Sequence, residues 1–304
     1  MNKPSPIRII PERLGALDCL RVETPHGTAL MARQGAQLLS YTPAGEQPLV
    51  WLSEQASFQA GVPVRGGVPV CWPWFGVYAF NPQSVRDCVD APEDAPSHGL
   101  VRNVEWELLS QDTGKDWGEL VFMLDLRKRL GPWRHAARLT LRARFGAAVE
   151  LALAIANTGS DAFTTSLALH TYLAVSDSRN IRIEGLHDKP YLDTVRGWEP
   201  RRQLGAITIE GETDRIYQEV DQPIEVHDPG WDRTIRIAAA NSRSAVIWNP
   251  WIDKSRRLDE FADDAWQRML CVETARVMDD VLTVEPDTTE TVAVALRADA
   301  ADEA

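Results

Sequence analysis

The stretch Ala137–Phe145 reads ARLTLRARF. Ala137, Leu139, Leu141, Ala143 and Phe145 fall on one face; Arg138, Thr140, Arg142 and Arg144 fall on the other. Side chains of an extended chain alternate between faces, so this is a strand with one dry and one wet side. After Gly146 the pattern resumes in AVELALAIANTG, where Val149, Leu151, Leu153 and Ile155 share a side. The two runs read as a hairpin.

Shorter runs of the same kind recur: Val104–Leu109, Glu119–Leu126, Ile181–Glu184, Ala206–Ile209, Thr234–Ala238, Ala245–Trp248, Val281–Val284 and Glu290–Leu296. Turn residues separate them, among them Gly114, Gly185, Gly211, Asp228-Pro229-Gly230, Asn249-Pro250 and Pro286. Long amphipathic helices are scarce; Ser53–Ala60 and Leu258–Trp266 are short helix or turn candidates. Many strands with few helices predict an all-β chain, a large antiparallel sandwich or barrel.

At 304 residues the chain could hold two domains or one large β domain. No composition shift or Pro/Ser linker divides it. The expectation is one domain over 1–304, with about 1–15 and 299–304 peripheral. Residues 85–97, VRDCVDAPEDAPS, read as an acidic surface loop. The formal net charge of -12 argues against a general nucleic-acid binder, which needs a basic face. No apolar run approaches the ~20 residues of a membrane-spanning helix, and the N-terminus lacks the apolar core of a secretory signal. Cys19, Cys71, Cys88 and Cys271 form no C-x-x-C pair. Scattered thiols of this kind suit a reducing compartment, so the cytoplasm is expected. Nothing signals an oligomer, and a monomer is expected.

No G-x-S-x-G, H-E-x-x-H, Walker A or G-x-G-x-x-G motif is present. What remains is His, Glu, Asp and Arg acting directly, in a chain with 11 tryptophans. Trp72, Trp74, Trp248 and Trp251 lie beside Pro and Gly, where rigid aromatic faces suit stacking on a sugar ring. Core packing is the competing and commoner explanation for such residues. Taken singly, His170 reads as a satisfied core histidine, Arg65 or Arg102 as a surface ion-pair partner, and Asp193 as a turn residue.

Seven segments change this balance. In order they are RGGVPVCWPWFG (65–76), SHGLVRNVEWEL (97–108), LALHTYL (167–173), YLD (191–193), DRIY (214–217), WNPW (248–251) and CVET (271–274). Together they resemble the glucose-6-phosphate 1-epimerase (hexose-6-phosphate mutarotase) family of the aldose 1-epimerase superfamily, over nearly the whole chain. The resemblance implies a large antiparallel β-supersandwich of the galactose mutarotase type. It implies that His170 and Glu273 are the catalytic pair. It implies sugar or phosphate contacts at Arg65, Arg102 and Asp193, with His98 as a further pocket residue. Several relatives carry Gln where this chain has Ser97, whose shorter hydroxyl would reach the sugar through water.

Interconverting α and β hemiacetals takes two proton transfers. A base removes the anomeric hydroxyl proton while an acid protonates the ring oxygen. The ring opens, the aldehyde turns about C1–C2, and closure reverses the roles. Each group therefore needs a pKa near the working pH. Glu273 shares a strand face with Met269 and Cys271 if the alternation holds, and an apolar face raises a carboxyl pKa. Imidazole titrates nearest neutrality, which suits His170 as acid. No metal or organic cofactor is called for, because the intermediate is an ordinary aldehyde. A sugar phosphate adds a dianion that the planar fork of Arg65 or Arg102 fits, with Lys254, Arg256 and Arg257 in reserve.

The expected substrate is thus a hexose 6-phosphate. The alternatives are a mutarotase for unphosphorylated aldoses, a non-catalytic sugar-phosphate binder, and a glycoside hydrolase using Glu273 with Asp193.

Overall fold

The computed structural model describes residues 7–90, 95–126 and 130–301. The alternating stretch forms the expected hairpin: Ala137–Phe145 pairs with Val149–Asn157 in unbroken antiparallel register, from Ala137 opposite Asn157 to Phe145 opposite Val149. The residues expected inside are buried along both strands. The outward Arg142 pairs with Glu119 of the neighbouring strand.

This hairpin sits within an eight-stranded antiparallel outer sheet. Its order is Arg182–Glu184, Ile224–Asp228, Arg233–Ala240, Thr289–Ala300, Val149–Asn157, Ala137–Phe145, Gly118–Asp125 and Glu107–Thr113. A second, central sheet runs Glu199–Arg202, Pro190–Asp193, Thr213–Tyr217, Ser244–Asn249, Met269–Arg276, Leu167–Leu169 and Val70–Cys71. Tyr172–Ala174 also pairs with Met269–Arg276. A four-stranded meander, Arg8–Leu14, Leu17–Thr24, Gly27–Ala32 and Leu38–Pro43, completes the large sheets. The α-helices, Gln83–Arg86 and Trp251–Ser255, are about one turn each. Among the described residues, no helix is long and apolar enough to cross a membrane.

Alternation along Met269–Arg276 decides where the site lies. Leu270 and Val272 join the main core between the sheets. Met269 and Cys271 belong to one apolar cluster on the opposite face, and Ala275 to another. Glu273 lies on that face between the two clusters. Glu273, a candidate catalytic residue, thus rises from the face of the central sheet turned away from the sandwich core.

Arg8–Leu14 forms the edge strand of the meander, paired along its whole length with Leu17–Thr24 and with no buried residue. Several expectations change. The strand expected at Val104–Leu109 begins only at Glu107, because the Val104 carbonyl accepts from the Gly35 N–H and the Trp106 N–H donates to the Arg33 carbonyl. Ala206–Ile209 forms no strand; Ile207 alone bridges to Ile183. Ser53–Ala60 is irregular, with the Ala56 N–H donating to the Ser53 carbonyl, and Leu258–Trp266 yields only the 3-10 turn Ala265–Gln267. Of the acidic loop 85–97, residues 91–94 lie outside the described residues, as do 1–6 and 302–304 of the termini. The four cysteines are free and buried.

Candidate active site

A cavity of about 810 Å³ opens on this face of the central sheet. His170 and Glu273 line it, as do Arg65, Ser97, His98 and Arg102. Four separate chain segments therefore converge on one place, and local backbone chemistry explains each approach.

Arg65 is delivered by the two glycines that follow it. Gly66 and Gly67 have φ of +105° and +70°, a region that side-chain-bearing residues avoid. A Cβ on Gly67 would lie 2.3 Å from the Leu38 carbonyl oxygen. The chain is pressed against its neighbours here, and the Gln37 side-chain amide donates to the Gly66 carbonyl at 2.7 Å.

His98 is held by a similar close approach. A Cβ on Gly99 would lie 2.1 Å from the Trp72 carbonyl oxygen, which accepts the Leu100 N–H. The Gly76 N–H donates to His98 Nδ1 at 3.3 Å, which leaves the proton of the neutral ring on Nε2. Burial, reinforced by the charges of Arg102 and Arg65, lowers the His98 pKa to about 3. Arg102 is steadied by donating to the Ser97 carbonyl at 3.0 Å.

His170 sits where the strand Leu167–Leu169 breaks before Tyr172–Ala174. Its N–H donates to the Pro69 carbonyl rather than into the ladder. The ring stacks on Tyr172, 4.8 Å between centroids and 7° from parallel, with His98 edge-on at 5.2 Å. Glu273 Oε1 approaches His170 Nε2 to 3.4 Å. Glu273 Oε2 and His170 Nδ1 are buried with no hydrogen-bond partner among the described residues. Burial, then the charges of His98, Arg102 and Arg65, holds the imidazole pKa well below its ordinary value. Burial, then the charge of Asp214, holds the Glu273 carboxyl well above the usual carboxylate range.

Asp193 does not line the cavity. It is buried at the start of the 3-10 turn Thr194–Arg196, where Oδ1 accepts the Arg196 N–H at 3.3 Å. It shapes the loop that carries Thr194 and Trp198, both of which do line the cavity. Asp214, of the DRIY segment, does line the wall, as do Asp259 and Glu260; none of the three is among the expected site residues. Lys254 also lines the wall, paired with Glu212 at 2.9 Å and 3.9 Å from Asp214; Arg256 and Arg257 do not. Its short helix is set by Asn249, whose side-chain oxygen accepts the Trp251 N–H while its amide donates to the Trp266 and Met269 carbonyls.

The tryptophans divide. Trp72 and Trp74 are fully buried and serve packing. Trp251 packs on Trp266, with centroids 4.3 Å apart. Only Trp248 of the four expected stacking residues faces the cavity, joined on the rim by Trp198 against Phe80.

Residues 18–297 match the model of the aldose 1-epimerase family. The chain belongs to that family. Proteins provisionally named glucose-6-phosphate 1-epimerase from Salmonella typhimurium and Escherichia coli K12 are each 34% identical to it; the alignments cover 86% of this chain and 84% of each relative. The crystal structure of a provisionally named mutarotase from Salmonella typhimurium superposes with a TM-score of 0.86 at 30% identity, over 99% of this chain and 96% of that one. A galactose 1-epimerase from Lactobacillus acidophilus shares the fold at a TM-score of 0.73 and 10% identity, over 98% of this chain and 99% of that one. Family membership agrees with the β-supersandwich and with the order of the seven segments.

Proposed function

We propose that this protein interconverts the α and β anomers of a hexose 6-phosphate by acid–base opening and closure of the sugar ring. The observation that carries the reading is the 3.4 Å contact of Glu273 with His170 on a cavity wall that also presents Arg65 and Arg102. Glu273 removes the proton of the anomeric hydroxyl, and His170 protonates the ring oxygen as the C1–O5 bond breaks. Rotation about C1–C2 and closure from the other face return both protons.

Burial lowers the His170 pKa and raises that of Glu273, opposite to what a resting acid and a resting base would show. With His170 neutral and Glu273 protonated the pair holds one acidic proton. Passing that proton across the contact makes Glu273 the base and His170 the acid, with no change in net charge. Each group can therefore serve in either direction, as a reversible ring opening demands. Trp248 offers an apolar face to the ring, and the guanidinium groups of Arg65 and Arg102 offer paired donors to the phosphate.

The provisional names of the relatives support glucose 6-phosphate as the substrate. The four free thiols support the cytoplasm as its place. A glycosidase using Glu273 with Asp193 is disfavoured, since Asp193 is engaged by Arg196 away from the cavity wall.

Exchange NMR tests the reaction with glucose, glucose 6-phosphate, galactose 6-phosphate and mannose 6-phosphate. Faster α/β exchange is expected for one or more of the phosphates. Acceleration of glucose alone would move the assignment to unphosphorylated aldoses. Binding without acceleration would make the protein a sugar-phosphate binder.

A further inference from the structure

One buried group beside the proposed acid–base pair takes no part in that chemistry. Cys271 precedes Glu273 by two residues on the same strand and points from the same face. It pairs across the ladder with Tyr172, on whose ring His170 stacks. One ligand atom from each of His170, Cys271 and Glu273 lies within 4.8 Å of the others, and all three residues are buried. We propose that His170, Cys271 and Glu273 form an inhibitory site for a thiophilic divalent cation of the zinc class.

The donor set is nitrogen, sulfur and oxygen, which suits zinc and excludes magnesium or calcium as preferred ions. Ligands at about 2.0–2.3 Å in a tetrahedron are separated by roughly 3.3–3.8 Å. The His170–Glu273 edge already measures 3.4 Å. Glu273 keeps a second carboxylate oxygen, Oε2, with no protein partner, so the carboxylate is not saturated by protein donors. His170 and Glu273 line the cavity, so the fourth corner is open to water or an anion. The nearby Arg65 and Arg102 would repel a bare cation. A dication bound by one thiolate and one carboxylate is neutral as a unit, and a coordinating thiol gives up its proton outright. An ion held there would occupy the carboxylate and imidazole needed for proton transfer, so it would compete with substrate.

Cobalt(II), a spectroscopic stand-in for zinc, tests the site on the full chain without relying on the proposed reaction. Wild type is expected to give intense tetrahedral visible bands and a near-ultraviolet thiolate-to-metal band. Cys271→Ala and, as a second variant with a small polar side chain, Cys271→Ser should both lose the thiolate band. His227→Ala should keep it, because that residue belongs to a separate cluster with Glu184 and Glu225 that has no thiol. Cobalt spectra without the thiolate band in wild type, or with the band retained in either Cys271 variant, would overturn the proposal. The inhibitory arm does rest on the anomerase reading: zinc should slow exchange reversibly in wild type, and Cys271→Ala should need at least about tenfold more zinc for the same effect. If zinc inhibits wild type and Cys271→Ala equally while exchange itself is normal, the inhibitory site is refuted and the reaction stands.

Discussion

Glu273 Oε1 lies 3.4 Å from His170 Nε2, and the far atom of each side chain, Oε2 and Nδ1, has no partner among the described residues. A pair built for stability would saturate both ends, because an unsatisfied buried polar atom costs about 1–3 kcal/mol. Both free ends are sealed from solvent. Local stability is forgone at this pair, a pattern common at functional sites.

Removing the carboxylate should abolish most of the rate. Glu273→Gln keeps the shape of the side chain but cannot take a proton. A loss of about 10²–10⁴-fold in anomer exchange is expected, the usual worth of one general acid or base. Exchange NMR at saturating glucose 6-phosphate measures it, and an unaltered rate would remove Glu273 from the mechanism.

Relative to wild type, the same variant should gain stability as pH rises. The folded Glu273 carboxyl holds its proton well above its reference pKa of 4.5, whereas the unfolded chain releases it near that value. Between those limits the folded state binds more protons, so folding stability falls as pH rises. The neutral amide of the variant carries no such penalty. The Tm difference between Glu273→Gln and wild type should therefore be small near pH 4.5 and widen toward neutrality. Thermal melts at several pH values check this; a difference that narrows with pH would contradict the buried, protonated carboxyl.

Arg65 should separate phosphorylated from free sugars. A charge-assisted hydrogen bond is worth about 1.5–3 kcal/mol, or roughly ten- to a hundredfold in affinity. Arg65→Ala should raise KM for glucose 6-phosphate by about that factor and leave the slower use of glucose nearly unchanged. Equal effects on both sugars would place Arg65 on the ring rather than the phosphate.

Gly99→Ala probes the backbone that presents His98. Its φ of +77° and the 2.1 Å approach to the Trp72 carbonyl leave no room for a methyl group. The loss of stability should exceed about 1 kcal/mol. Chemical denaturation measures it, and a neutral result would mean that the 97–102 segment is free to move off Trp72.

The side-chain period of ARLTLRARF sufficed to place the outer sheet, because one face packs on the core and the other is wet. The four-stranded meander at residues 8–43 was not legible in the same way. Its strand Gly27–Ala32 is buried on nearly every residue, and a continuous apolar run carries no period. His170 and Glu273 were singled out through their segments, and their side chains lie 3.4 Å apart. Asp214 was not, since DRIY names a strand segment without saying which side chain faces the cavity. That depends on the register of Thr213–Tyr217 with Ser244–Asn249, where Asp214 lies opposite Trp248.

That register makes Asp214 and Asp193 separable by their effect on pH dependence. Asp214 lines the cavity, and its charge helps to hold the Glu273 proton. Asp214→Asn removes that charge, so the last proton should leave the pair at lower pH. The alkaline limb of the exchange rate should then move down the pH scale relative to wild type. Asp193 instead caps the Thr194–Arg196 turn, and losing its carboxylate loosens the loop that carries Trp198. Asp193→Ala should therefore raise KM while leaving the alkaline limb in place. Exchange rates across the pH range for the two variants decide the matter: a shifted limb in Asp193→Ala with none in Asp214→Asn would reverse the assignment.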